Sequence, residues 1–153
     1  MKTLLVVHSD RATGHTRRVA EAMAEELGAA VVDAEDANPA LLAGYDLVGF
    51  GSGVYRGRLH PELHELARRL PSNPGFRAFI FSTAGTCCAA YHDTLRAELA
   101  GRGIEVTGEH ACPGSDSYRF PGTVLNPERP TDDDLAAARD FARGLRDRLA
   151  GKD

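Results

Sequence analysis

The chain has 153 residues, 42% of them hydrophobic and 26% charged, with a formal net charge of −4. That is room for one domain around one core, and the mild acidity argues against nucleic acid as the partner, because phosphate-binding surfaces are usually basic. No apolar run approaches the ~20 residues of a membrane-spanning helix, and the apolar start stops at Val7 before His8, Ser9, Asp10 and Arg11, unlike a signal peptide, so a cytoplasmic protein is expected.

Residues 1–7 (MKTLLVV) read as a short buried strand. Val19, Met23 and Leu27 then recur at a spacing of four, one face of a helix. Residues 29–32 (AAVV) predict a second strand. Residues 33–44 are polar and broken by Pro39, with Leu41 and Leu42 as core contacts. Residues 45–51 predict a third strand on Leu47, Val48 and Phe50. Pro61 opens the next helix, since proline suits the first helical position, and Leu63, Leu66, Ala67 and Leu70 form its stripe. Pro71 and Pro74 end it. Residues 76–82 (FRAFIFS) predict a fourth strand, and Tyr91, Leu95 and Leu99 a helix that stops near Gly101 and Gly103. Residues 104–112 (IEVTGEHAC) read as a fifth strand, polar in part as an edge strand can be. Thr131 caps the last helix with Asp134 in the capping-box position, and Leu135, Ala138, Ala142, Leu145 and Leu149 are its inner face. Strands alternating with helices imply a parallel sheet covered on both faces, in one domain over 1–150 with a frayed tail at 151–153.

In an open parallel sheet, ligands bind beyond the carboxyl ends of the strands. The first loop there reads HSDRATGHT and opens a helix, so its backbone amides and the helix dipole suit a phosphate. Ser9, Arg11, Ala12, Thr13, Gly14, His15 and Thr16 are its candidate binding residues. A helix cap without a ligand is the plain alternative. The second loop reads GSGVYRGRLH; its glycines let the backbone approach a flat ligand, and Tyr55 offers a ring. Its candidates are Ser52, Gly53, Val54, Tyr55 and Gly57. The third reads STAGTCCAA, where Ser82 and the candidates Thr83, Ala84, Gly85 and Thr86 offer short hydrogen-bonding groups. The stretch 113–130 carries four prolines with Tyr118 and Phe120, and loops of that length often serve as lids. Tyr118 is a candidate for an aromatic that this lid brings to the site.

Thr13-Gly14-His15-Thr16 resembles the phosphate loop of the flavodoxins, commonly Thr/Ser-x-Thr/Ser-Gly-Asn-Thr, with His15 in place of Asn. The segments GSGVYRGRLHPEL, CPGSDSYRF and NPERPTDDDL resemble a bacterial and archaeal branch of flavodoxin-domain proteins, so the resemblance covers most of the chain. It implies a flavodoxin-like three-layer α/β sandwich with a five-stranded parallel sheet in the order 2-1-3-4-5. It also implies FMN, its phosphate on Thr13 to Thr16 and its ring between the second and third loops. An electron-transfer carrier is the function expected. The alternatives are an FMN-dependent oxidoreductase of the quinone reductase or protoporphyrinogen oxidase kind, and an interaction protein of the same fold that binds no flavin. The partner is then a redox protein or a small-molecule electron acceptor. Arg11, Arg56, Arg58, Arg119 and Arg129 face Asp10, Asp116 and Glu128 at the binding edge, a neutral-to-basic rim that fits an acidic partner or a small anionic substrate.

Other chemistries find less support. A response regulator needs an acceptor Asp after the third strand, where Gly51-Ser52-Gly53 stands. A low-molecular-weight tyrosine phosphatase needs a cysteine in the first loop, which has none. His60 and His64 are four apart, as a metal pair on a helix would be, yet no third ligand is visible and no metal is expected. No acid–base residue stands out as catalytic. Cys87, Cys88 and Cys112 make neither a disulfide framework nor a zinc spacing, and read as small buried thiols.

Overall fold

The computed structural model of the protein describes residues 1–9, 14–84, 89–113 and 130–151. Strands β1 (Thr3–His8), β2 (Ala30–Asp33), β3 (Leu47–Tyr55), β5 (Arg77–Ala84) and β6 (Val106–Pro113) run parallel in the order β2-β1-β3-β5-β6. A two-residue strand, β4 (Arg58–Leu59), folds back antiparallel on the end of β3. With β4 set aside, the parallel order is the expected 2-1-3-4-5.

Residue parity within the strands divides the core in two. Leu4, Val6, Val48, Phe50, Ala78 and Ile80 point to one face. There they meet α2 (Pro39–Leu42), α3 (Pro61–Arg69) and α4 (Asp93–Ala100) through Leu42, Leu63, Leu66, Leu95 and Leu99. Leu5, Val7, Leu47, Phe79 and Phe81 point to the other. That face is covered by α1 (His15–Leu27) and α5 (Asp132–Ala150), through Val19, Met23, Ala138, Ala142, Leu145 and Leu149. Both faces of the central strands are buried, so their sequences read as continuous apolar runs.

Several boundaries differ from the sequence expectation. The second loop, read over 51–60, is largely a β-hairpin. β3 runs on to Tyr55, the chain turns at Arg56 and Gly57 with φ of 55° and 81°, and β4 returns. Two positive φ values are what a tight two-residue hairpin turn demands. Glycine-rich sequence reads as loop because glycine packs nothing, but Gly49 and Gly51 pair across the sheet with Phe79 and Phe81, whose rings fill the space a Cβ would take. The fourth strand extends to Ala84, so Thr83 and Ala84 are strand residues. The fifth begins at Val106, two residues late. Tyr91 lies in a 3₁₀ turn over Ala89–His92 that precedes α4, and His92 is the side chain buried there. Asn38 caps α2, a helix that the polar stretch around Pro39 did not announce. The capping box at Thr131 and Asp134 is present in both directions.

Gly51→Ala is expected to destabilise the protein by about 1–3 kcal/mol, the usual cost of forcing extra volume into a packed core. Urea denaturation checks it, and adding Phe81→Leu should recover part of the loss by freeing the space.

Candidate functional site

The strands turn polar at one row of the sheet. His8, Ser52, Ser82 and Ala111 are register partners across β1, β3, β5 and β6, one step beyond the apolar rows. By parity, His8, Ser52 and Ser82 face the α3/α4 side. On the other side the row above supplies Thr83, whose hydroxyl lies 2.7 Å from that of Thr16 in the first turn of α1. Both threonines are buried. That bond ties the start of α1 to the end of β5, so the first and third candidate loops meet.

The start of α1 is shaped by Gly14, which takes the left-handed conformation at φ 62° and ψ 20° as the helix N-cap. A non-glycine residue adopts that conformation only under strain. No acidic side chain lies in the first turn, and Gly14 has no side chain to cap it. The Ser9 hydroxyl accepts from the Arg17 amide at 3.3 Å. An anion approaching this turn meets partial positive charge and no carboxylate within the turn itself. Here the residues present fit an FMN phosphate.

Ser52 is fully buried, and its hydroxyl donates to Gly53 O at 2.6 Å and accepts from the His60 amide at 2.9 Å. It therefore staples the two limbs of the hairpin. Val54 pairs with Leu59 within it. Tyr55 is exposed, its ring lying edge-on to His8 and His60. Arg56 and Arg58 are exposed at the tip. Of the remaining candidates, Arg11, Ala12, Thr13, Gly85, Thr86 and Tyr118 lie outside the described residues, as do Cys87, Cys88 and residues 114–129 of the lid expected over 113–130. Cys112 is buried.

Two groupings escaped sequence reasoning. One is a chain of hydrogen bonds running across the α4 face of the sheet. Ser82 Oγ lies 2.7 Å from His92 Nε2, and His92 Nδ1 lies 3.0 Å from Glu109 Oε1. Arg96 clamps both Glu109 oxygens, at 2.8 and 3.0 Å, and also holds Asp93. With Glu109 ionised, Nδ1 carries the imidazole proton and Nε2 accepts from Ser82. Ser82 and His92 are both buried and bracket the third candidate loop. Their separation of ten in sequence, with Glu109 on another strand, gave no local signal. The second grouping is His8, His60 and Glu62, the last two being the N-cap and the second residue of α3. His64, read as a possible metal partner of His60, instead turns its Nδ1 to Glu98 at 3.0 Å.

A cleft of about 280 Å³ opens on the β2 side of β1, lined by His8, Ser9, Gly14, Arg17, Asp33, Glu35 and Glu62 among others. Arg17 pairs with Asp33 across it. Its three carboxylates, Asp33, Glu35 and Glu62, oppose an anion inside the cleft itself.

Burial holds His92 below the usual imidazole range, against the opposing pull of Glu109; Arg96 adds to the lowering and Asp93 opposes it. His110, stacked on Phe141, is lowered by burial and by His92. Burial, the largest single influence, would raise Glu109, but the hydrogen bonds and charges of Arg96 and His92 together outweigh it and hold the carboxyl low. The folded state thus binds fewer protons than the unfolded chain just below the ordinary imidazole value of ~6.5. Stability is full above that value and falls as pH drops through it, by at most about 1.4 kcal/mol per pH unit for each histidine. Urea denaturation between about pH 7.5 and about pH 5.5 should show the loss, and His92→Gln should flatten it.

Residues 5–103 match the flavodoxin domain family. The chain belongs to that family. This flavodoxin-domain protein is 35% identical over 137 residues to the uncharacterized protein MJ0298 of Methanocaldococcus jannaschii, a match spanning 86% of this chain and 89% of that one. It is also similar in structure to a flavodoxin from the domain Archaea, with a TM-score of 0.71 at 16% identity over 98% of this chain and 99% of that one. A Streptococcus pneumoniae TIGR4 flavodoxin gives 0.70 at 18% identity, covering 95% and 99%. A WrbA-like flavodoxin of Agrobacterium tumefaciens gives 0.63 at 20%, covering 99% of both chains. Among the described residues, no helix is long and apolar enough to cross a membrane.

Proposed function

We propose that this flavodoxin-domain protein binds FMN non-covalently at the ends of β1, β3 and β5 and carries electrons for a redox partner protein or a small-molecule acceptor. The observation that carries the reading is the buried Thr16–Thr83 hydrogen bond, which sets an anion-ready helix start beside the end of β5. Thr13, Gly14, His15 and Thr16 would hold the phosphate. The hairpin from Ser52 to Gly57 and the stretch from Thr83 to Thr86 would flank the ring. FMN supplies reversible electron transfer, and the protein's part is to hold it and set its potential. Family membership and the near-complete coverage of solved flavodoxins support a carrier. A cytoplasmic setting suits such a carrier.

Protein reconstituted with FMN should show a flavin absorption spectrum displaced from that of free flavin. Stepwise anaerobic reduction should then give distinct, reversible stages. Protein that stays colourless and leaves FMN fluorescence unquenched overturns the reading in favour of an interaction protein.

The exposed Arg56 and Arg58 favour an acidic partner surface and added negative charge on a reduced ring. A unit charge several ångströms away at partial exposure contributes on the order of 1 kcal/mol. The double substitution Arg56→Glu, Arg58→Glu should make the bound flavin's second one-electron potential more negative. An unshifted potentiometric titration would mean that these guanidinium groups act only on solvent.

A further inference from the structure

The geometry points to a divalent metal site formed by His8, His60 and Glu62, with zinc as the ion it suits. Each of the three offers a ring nitrogen or carboxylate oxygen within 4.8 Å of the other two, and all three are half-buried. His8 Nδ1 and Glu62 Oε1 are 3.4 Å apart. That matches the edge of a tetrahedron with metal–ligand bonds of ~2.0–2.2 Å, about 3.4 Å. Two imidazoles and one carboxylate are a ligand set that zinc takes with a fourth position left open.

Local structure fixes two of the three ligands. Pro61 and Glu62 occupy the first two positions of α3, and His60 Nδ1 accepts from the Glu62 amide at 3.1 Å. That bond occupies the Nδ1 lone pair and leaves the ring proton on Nε2, so an ion takes Nδ1 in place of the Glu62 amide, at the cost of that cap bond. His8 comes from the end of β1 and lies over His60, ring centroids 3.5 Å apart and planes 11° from parallel. Stacked rings direct their lone pairs side by side. With its cap bond given up, a turn of the His60 ring about its side-chain bonds makes them converge, so metal binding replaces the stack while His8 Nδ1 and Glu62 Oε1 keep their spacing. His8 and Glu62 also line the cleft, which puts the open fourth position there. Glu35, which also lines the cleft, adds negative charge that draws cations toward it.

Tag-free protein titrated calorimetrically with Zn²⁺ is expected to take up one equivalent. Co²⁺ in its place should give the intense visible bands of a four-coordinate ion. His8→Ala and Glu62→Gln should each weaken Zn²⁺ by at least the ~10–100-fold that losing an outer hydrogen bond to a ligand already costs. Neither residue caps a helix with its side chain, whereas His60 does and is left intact. Glu35→Gln with Asp36→Asn should leave the affinity within a few-fold. Absence of saturable binding overturns the proposal, as does full affinity in both His8→Ala and Glu62→Gln. A loss in the Glu35/Asp36 variant equal to that in His8→Ala would also sink it, by moving the ion to the acidic turn. None of these outcomes depends on flavin, since all are read on the protein without it.

Discussion

His92→Ala is expected to destabilise the protein by about 2–4 kcal/mol, one of the two largest effects we anticipate. The substitution removes two hydrogen bonds, one of them to an ionised carboxylate. It leaves the Ser82 hydroxyl buried without its imidazole partner, a penalty of ~1–3 kcal/mol on its own. The vacated imidazole volume adds a cavity cost. Glu109 keeps its two bonds to Arg96, so it is not stranded. His92→Gln should cost less, because an amide can still accept from Ser82 or donate to Glu109, though it does not span both. Urea denaturation of the two variants beside wild type measures the difference. Equal midpoints for all three would show that the chain of bonds carries no stability. Because Ser82 and His92 bracket the third candidate loop, His92→Ala should also weaken FMN binding by more than His92→Gln.

Gly14→Val is expected to weaken FMN binding about 10–100-fold. A Cβ at this position meets nothing within 4 Å, so the effect is conformational rather than steric. A β-branched residue resists φ near 62° at a cost of ~1–2 kcal/mol. If the chain relaxes instead, the first amides of α1 turn away from the phosphate. Each charge-assisted hydrogen bond lost is worth ~1.5–3 kcal/mol, and ~1.4 kcal/mol is tenfold in affinity. Fluorescence titration with FMN decides it. Affinity equal to wild type would remove Gly14 from the site, whereas weak binding by an otherwise stable variant supports the assignment.

The element order was legible because each element announces itself over a few neighbouring residues. Val19, Met23 and Leu27 mark a helix face, Pro61 a helix start, Thr131 with Asp134 a capping box. These are local signals, and the structure bears them out. The hairpin at Ser52 to Leu59 was not legible, since Gly51, Gly53 and Gly57 look like loop residues until Phe81 is set against the first of them. Strand formation there depends on residues about thirty positions away. The same holds for Tyr91 and His92: the helical spacing favoured Tyr91, whereas the sheet buries His92, because Ser82 and Glu109 offer it partners on two strands.

By itself, the sequence determined the fold class and the two-faced core, through periodicity, capping and turn residues that act within one element. The tertiary structure alone decided which polar side chains meet. It joined Thr16 to Thr83, Ser82 to His92 and Glu109, and His8 to His60 and Glu62. The physical reason is register and packing together: paired parallel strands set His8, Ser52 and Ser82 level across the sheet, and the packed helices bring Thr16, His92, His60 and Glu62 to the strand ends. Which polar groups share that row depends on the pairing of strands distant in sequence, and no local pattern encodes it.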